Sequence, residues 1–208
     1  MKIFIIHYKK LKERKEHIIK ELNKYNITDF EFIDIDRDEL DTFDLSLFHD
    51  IPNPHKAITL SHIFAFKQIR DKYHQALILE DDIILCDNFF NILNIYLKQL
   101  PPSFDMCFFS SCHNLNIPSQ HLIPNKFIYH KSLDGGSTRT LACYLVSKNC
   151  AIKLCHYIDN IKYKINLPTD HWLNIVAKDI NLNMFWAEPT IAIQGSETGL
   201  FQISYKYM

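Results

Sequence analysis

The sequence predicts one α/β domain over residues 1–208, a mostly parallel central sheet flanked by helices. Three observations carry this: short continuous apolar runs, segments bearing a single apolar stripe, and the alternation of the two along the chain. Ile3 to Ile6 is an apolar run of the kind buried on both faces of a parallel sheet. Leu11 to Tyr25 follows, with Leu11, Ile18, Ile19 and Leu22 set among charges as on a one-sided helix, and Phe30 to Ile35 returns to strand. Ala57 to Tyr73 reads as a helix after the turn at Pro52 and Pro54, and Gln75 to Leu79 as the clearest buried strand. Asn88 to Leu100 is a helix stopped by Pro101 and Pro102, and Asp105 to Ser110 a strand. Ser111 to Ser137 is long, polar and proline-punctuated with no clear period, which suits an active-site loop or a small insertion. Leu141 to Val146 reads as strand, Lys148 to Tyr157 as helix, and Asp170 to Lys178 as a short helix with Thr169 as its N-cap. From Ala187 onward there is no strong period, and no repeat or linker divides the chain.

Composition excludes several function classes. With 23 Lys and Arg against 24 Asp and Glu, no global field draws the chain to nucleic acid or anionic lipid. No stretch approaches the length of apolar chain that spans a membrane, so no transmembrane segment is expected. Glycine is scarce, 4 residues in all, so a glycine-loop phosphate cradle is ruled out by spacing. Any phosphate must be met by a metal, basic side chains or a helix start. The cysteines form no C-x-x-C pair and sit among apolar neighbours, as reduced buried side chains do. The N-terminal apolar run is too short for a signal-peptide core, so a cytoplasmic location is expected.

Chemistry concentrates where the buried strand ends. Ala76-Leu77-Ile78-Leu79 runs straight into Glu80-Asp81-Asp82, at the kind of strand terminus where open α/β sheets bind ligands. If the chain stays extended there, Glu80 and Asp82 project to one side and Asp81 to the other, giving two hard oxygen donors for Mn²⁺ or Mg²⁺. A divalent cation offsets the mutual repulsion of the three carboxylates and leaves room for phosphate oxygens. A solvated acidic turn is the alternative. The acidic run from Asp34 to Asp41 mimics the start of a calcium loop but carries Glu39 where glycine is required and Leu45 where a bidentate Glu is required. What remains is Asp34 at a strand end, placed to accept hydrogen bonds from a ribose, or simply solvated.

In order along the chain, these pieces resemble the glycosyltransferases of family 25, which include lipooligosaccharide and procollagen galactosyltransferases. The resemblance runs through Ile3 to Tyr8 with Arg14, Glu31 to Asp34, Leu60-Ser61-His62, Ala76 to Ile83, Gly136-Ser137-Thr138, Ala142 to Ser147, Pro168-Thr169-Asp170, and Pro189 with Gln194. In that family the opening strand usually ends in Asn, and here His7 stands in its place. The resemblance implies a GT-A fold, a UDP-galactose or UDP-glucose donor, a divalent metal, a glycan or glycoprotein acceptor, and inversion at the anomeric carbon. With it, the donor site expected includes Tyr8, Arg14, Ser61, His62, Asp81, Gly136, Thr138 and Gln194, joined on their own residue readings by Asp34 and Arg139, with Glu80 and Asp82 on the metal.

Inversion requires a base opposite the leaving group, and Asp170, at the start of a helix in a polar loop, is placed for it; helix capping is its other reading. His62 shares a helical face with Ile58, Phe66 and Ile69, as a core histidine would. Without the resemblance, Arg14 reads as a solvated helix residue beside Glu13 and Lys15, and Arg139, after a pair of glycines, as the better anion binder. A metal-dependent phosphohydrolase would use the same carboxylates with water as nucleophile, and a silent sugar-binding protein would keep the fold without turnover.

Overall fold

A computed structural model describes residues 1–110, 115–133 and 138–202. In chain order the elements are β1 (Lys2–Ile6), α1 (Lys12–Lys24), β2 (Phe30–Ile33), α2 (Asn53–Lys72), β3 (Gln75–Glu80), β4 (Ile83–Leu85), α3 (Phe89–Gln99), β5 (Met106–Phe108), β6 (Ile128–Lys131), β7 (Cys143–Ser147), α4 (Lys148–Asp159), α5 (Thr169–Asp179), β8 (Met184–Ala187) and β9 (Ala192–Gln194). Seven strands form one sheet in the order β2-β1-β3-β7-β5-β8-β6, and β4 pairs with β9 apart from it. β2, β1, β3, β5 and β8 share one direction, while β7 and β6 run against it.

The apolar runs become central strands because both faces of the sheet are covered. Phe4, Ile6 and Ile78 pack on the α2, α4 and α5 side. Ile3, Ile5, Leu77 and Leu79, one residue out of step, pack against α1 and α3. Each fully buried side chain of this size contributes about 1.5–3 kcal/mol relative to exposure. α2 is tied to α5 by a hydroxyl pair, Thr59 Oγ1 to Thr169 Oγ1 at 2.8 Å.

Several elements differ from the sequence expectation. β6 lies in what reads as loop, on the sheet edge, where a half-exposed Ile128-Tyr129-His130-Lys131 carries little apolar signal. β9 lies in the tail and β8 just before it, a short buried run whose strand character depends on its partners β5 and β6. Thr169 is the first helical residue, preceded by Pro168 at the N-cap, so its hydroxyl serves packing between helices rather than capping. α2 starts at Asn53, with Pro54 in its first turn, where a missing N–H has no cost. Among the described residues no helix is long and apolar enough to cross a membrane.

Candidate active site

A cleft of about 150 Å³ opens where β1 and β3 end, and its walls come from the segments after β1, β2 and β3, from α2, and from the chain after β9. This is where an open α/β sheet binds ligands. The cleft has two unlike ends. One holds Glu80, Asp81, Asp82, His7, Arg14, Gln194 and Ser196; the other is lined by Tyr8, Leu11, Ile35, Pro54, Ala57 and Ile58, with Arg37. The Arg37 guanidinium lies 4.0 Å from the centre of the Tyr8 ring, a cation–π contact that stiffens this rim. The Tyr8 hydroxyl donates to Asp38 at 3.3 Å, and Lys9 bridges Asp36 and Glu39, stitching the segment after β1 to the segment after β2.

At the acidic end the strand stops at Glu80 and the chain turns through Asp81 and Asp82. The expected alternation of three extended residues is therefore replaced by a turn that brings all three carboxylates to one cleft. Asp81 and Asp82 are buried. Asp81 accepts from His7 Nδ1 at 2.7 Å on one oxygen and from Arg14 Nη1 at 3.2 Å on the other. The same Nη1 lies 3.4 Å from Asp82 Oδ2. Arg14 is thus no surface residue: α1 turns it inward, its Nη2 donates to the Gln202 carbonyl at 2.7 Å, and its face meets the Phe201 ring.

The chain after β9 closes over this cluster. Gln194 Nε2 donates to Glu80 at 2.7 Å, and the Gly195 and Ser196 amides donate to the Asp82 carbonyl and to Oδ2 at 2.7 and 3.3 Å. A Cβ at Gly195 would lie 2.8 Å from both the Asp82 carbonyl oxygen and the Phe201 ring, so only glycine permits this approach. Burial, then the charges of Asp82, Asp81 and Asp170, push the Glu80 carboxyl up to about 8, against the smaller opposing effect of Arg14. The cluster carries more negative charge than its own cations balance.

A divalent metal fits this end. Asp82 Oδ1 is buried with no protein partner, and Glu80 lines the cleft with a carboxyl whose ionisation a nearby cation would favour. Among the described residues no three His, Cys, Asp or Glu side chains form a metal cage. A cation held there would complete its shell with oxygens from outside the protein, as Mg²⁺ and Mn²⁺ sites commonly do.

The structure brings together Tyr8, Arg14, Ser61, Glu80, Asp81, Asp82 and Gln194 of the residues expected from sequence. Ser61 lines the cleft while donating back to the Ala57 carbonyl at 2.9 Å. Five others, His62, Arg139, Asp34, Thr138 and Asp170, do not line it. His62 is fully buried against Tyr144, Nδ1 to hydroxyl 2.7 Å, and burial holds its pKa down to about 3, which places it in the core beneath the cleft rather than on its wall. Arg139 lies away from the cleft and is already paired: it donates to the Ala187 carbonyl and to Glu188 at 2.7 and 2.6 Å and lies 4.4 Å from the Trp186 ring centre. Asp34 is exposed just beyond β2 and forms no wall of the cleft. Thr138 supports α5 instead, its amide bound to Asn174 and its hydroxyl donating to the Asp170 carbonyl at 3.2 Å. Gly136 lies outside the described residues. Asp170 sits half-buried in the first turn of α5, accepting from the His171 amide at 2.9 Å, with its charge felt at Glu80 and His55.

His7, Ile35, Arg37 and Ser196 are site residues that sequence reasoning missed. Their signal was positional: each follows a strand, and Ile35 and Arg37 sit in the acidic run read for calcium.

The fold, a mostly parallel sheet with helices on both faces and a cleft at its strand ends, is of the GT-A class. The chain belongs to glycosyltransferase family 25, described as LPS biosynthesis protein, whose family model matches residues 1–173. No curated protein matches the chain. Among solved structures, a glycosyltransferase involved in glycosylating the major capsid of PBCV-1 superposes with a TM-score of 0.51 at 10% identity, over 93% of this chain and 94% of that one. A Drosophila β1,4-galactosyltransferase 7 mutant in complex with manganese, UDP-Gal and xylobiose gives 0.46 at 10% identity over 90% of this chain, which spans 64% of that one. Galactosyltransferase LgtC with donor and acceptor sugar analogs gives 0.45 at 10% identity, over 93% and 86%.

Proposed function

We propose that this glycosyltransferase is metal-dependent and moves a hexose, galactose or glucose, from a UDP-sugar to a hydroxyl of a glycan or glycosylated protein, inverting the anomeric carbon. The observation that carries the reading is the cleft's lining: apolar and aromatic side chains beside an over-negative cluster suited to a cation and a diphosphate. Family membership, with its lipopolysaccharide description, supports a lipopolysaccharide glycan as acceptor. The buried cysteines, whose thiols burial raises, are in keeping with a reducing cytoplasmic setting.

In this reading the uracil rests among Tyr8, Leu11, Ile35 and Pro54, with Arg37 at its edge. Ser61, Gln194 and Ser196 offer hydrogen bonds along the donor. Asp82 and Glu80 would hold Mn²⁺ or Mg²⁺, which when bound supplies Lewis-acid stabilisation to the departing diphosphate. Asp170 takes the proton of the acceptor hydroxyl as its oxygen bonds to the anomeric carbon and the bond from that carbon to the diphosphate oxygen breaks. Thr138 and Asn174 hold the first turn of α5, and with it Asp170, in place.

The test is donor turnover with Mn²⁺ across a panel of nucleotide sugars, with and without lipopolysaccharide-derived glycans. UDP release that depends on acceptor is the expected result. Phosphate release from simple esters would instead indicate a phosphohydrolase, and nucleotide binding without any turnover a silent binding protein.

A further inference from the structure

Among the described residues, four buried side-chain polar atoms lack a partner, on His7, His62, Asp82 and Arg139. Two of them stand at opposite ends of one chain of contacts in the cleft: His7 Nδ1 to Asp81 Oδ2 at 2.7 Å, Asp81 Oδ1 to Arg14 Nη1 at 3.2 Å, and the same Nη1 to Asp82 Oδ2 at 3.4 Å. The far oxygen of Asp82, Oδ1, is the unpartnered one.

We propose that His7 is a positioning residue: through Asp81 and Arg14 it fixes the Asp82 carboxylate with Oδ1 left free for a ligand. The proposal rests on reading the cleft as a metal-assisted nucleotide site. A carboxylate only accepts, so Nδ1 of His7 carries the proton of the shared bond. The ring is buried and packs edge-on against Phe32 of β2, while the His7 amide ties the backbone to the Ile33 carbonyl at 3.0 Å. Both Asp81 oxygens are thereby occupied, which makes Asp81 a bracket for Arg14 rather than a ligand. Arg14 is held from its other side by Gln202 and Phe201. Its Nη1, together with the Ser196 amide, then occupies Asp82 Oδ2 and sets the orientation of Oδ1. Removing the donor at position 7 frees one oxygen of Asp81, lets that carboxylate rotate, and unclamps Arg14.

Two variants separate this from simple packing. His7→Asn keeps an N–H donor near the place of Nδ1; His7→Leu keeps bulk and loses the donor. Arg14 clamping is read from resolved guanidinium Nη resonances in ¹⁵N spectra, assigned by their loss in Arg14→Lys, and site geometry from calorimetric affinity for UDP with Mn²⁺. The expected result is that His7→Leu averages the Arg14 resonances and weakens UDP binding tenfold or more. His7→Asn keeps the resonances and stays within threefold, with similar melting temperatures for both. Unresolved Arg14 resonances in the unaltered protein, retention of them in His7→Leu, or equal losses in both variants would overturn the proposal. If His7→Leu does not fold, Asp81→Asn must unclamp Arg14 in the same spectra, and failure to do so overturns it as well. Absence of UDP binding by the unaltered protein counts against the nucleotide reading, while the Arg14 spectra still decide the clamp.

Discussion

Arg14 and Arg139 are both buried, and they do opposite things. Arg139 faces one carboxylate, Glu188, with a carbonyl and an indole ring beside it, so its charge is matched within the protein even though its Nε has no partner. Arg14 faces Asp81 and Asp82 with Glu80 close by, so one cation meets an excess of negative charge. The same residue type closes one site and leaves the other incomplete. Burial alone does not mark a functional arginine; the local charge surplus does, because a buried carboxylate without a cation is costly.

The strongest challenge to this contrast is Asp170→Asn, which should spare UDP affinity and cut turnover by ~10² to 10⁴, the range for a lost general base. Normal turnover in that variant places the base elsewhere. Asp82→Asn should weaken Mn²⁺-dependent UDP binding by about a hundredfold or more, with near-ultraviolet circular dichroism unchanged; unaltered calorimetric affinity removes the metal from Asp82. Arg139→Met sharpens the other side: stranding Glu188 should cost about 3–5 kcal/mol in denaturant unfolding while leaving UDP affinity intact.

The smallest effect is one of pH. Folding raises the Glu80 carboxyl to about 8. Between the ordinary carboxylate range and that value the folded chain holds a proton that the unfolded chain has lost, so stability falls as pH rises through this window. Glu80→Gln, which can still accept from Gln194, should therefore raise the melting temperature by a few degrees near pH 8 in chelator and by nothing near pH 4. A pH-independent gain would mean that Glu80 is not the titrating group.

The strands that floor the cleft were legible in the sequence because burial on both faces leaves an unbroken apolar run, as in Ile3 to Ile6 and Gln75 to Leu79. The acidic end was legible for the same reason, since carboxylates directly after such a run mark a strand terminus. β6 and β9 were not, because edge and two-stranded pairings need little apolar sequence and depend on distant partners. Arg14 was hidden among Glu13 and Lys15, where periodicity cannot tell an inward arginine from a solvated one. Its inward turn is set by Asp81, Gln202 and Phe201, all remote in the chain. The glycines before Arg139 suggested a ligand loop, yet the side chain found its anion in Glu188.

The reversed direction of β7 has a consequence for how this enzyme can diversify. β5 finishes and β7 begins on the cleft side of the sheet, so the entire excursion between them departs from and returns to a single rim. Insertions flanking β6 extend that rim without interrupting β1, β2 or β3. The stretch free to lengthen and the strand ends that carry the acidic cluster are thereby separate parts of the chain.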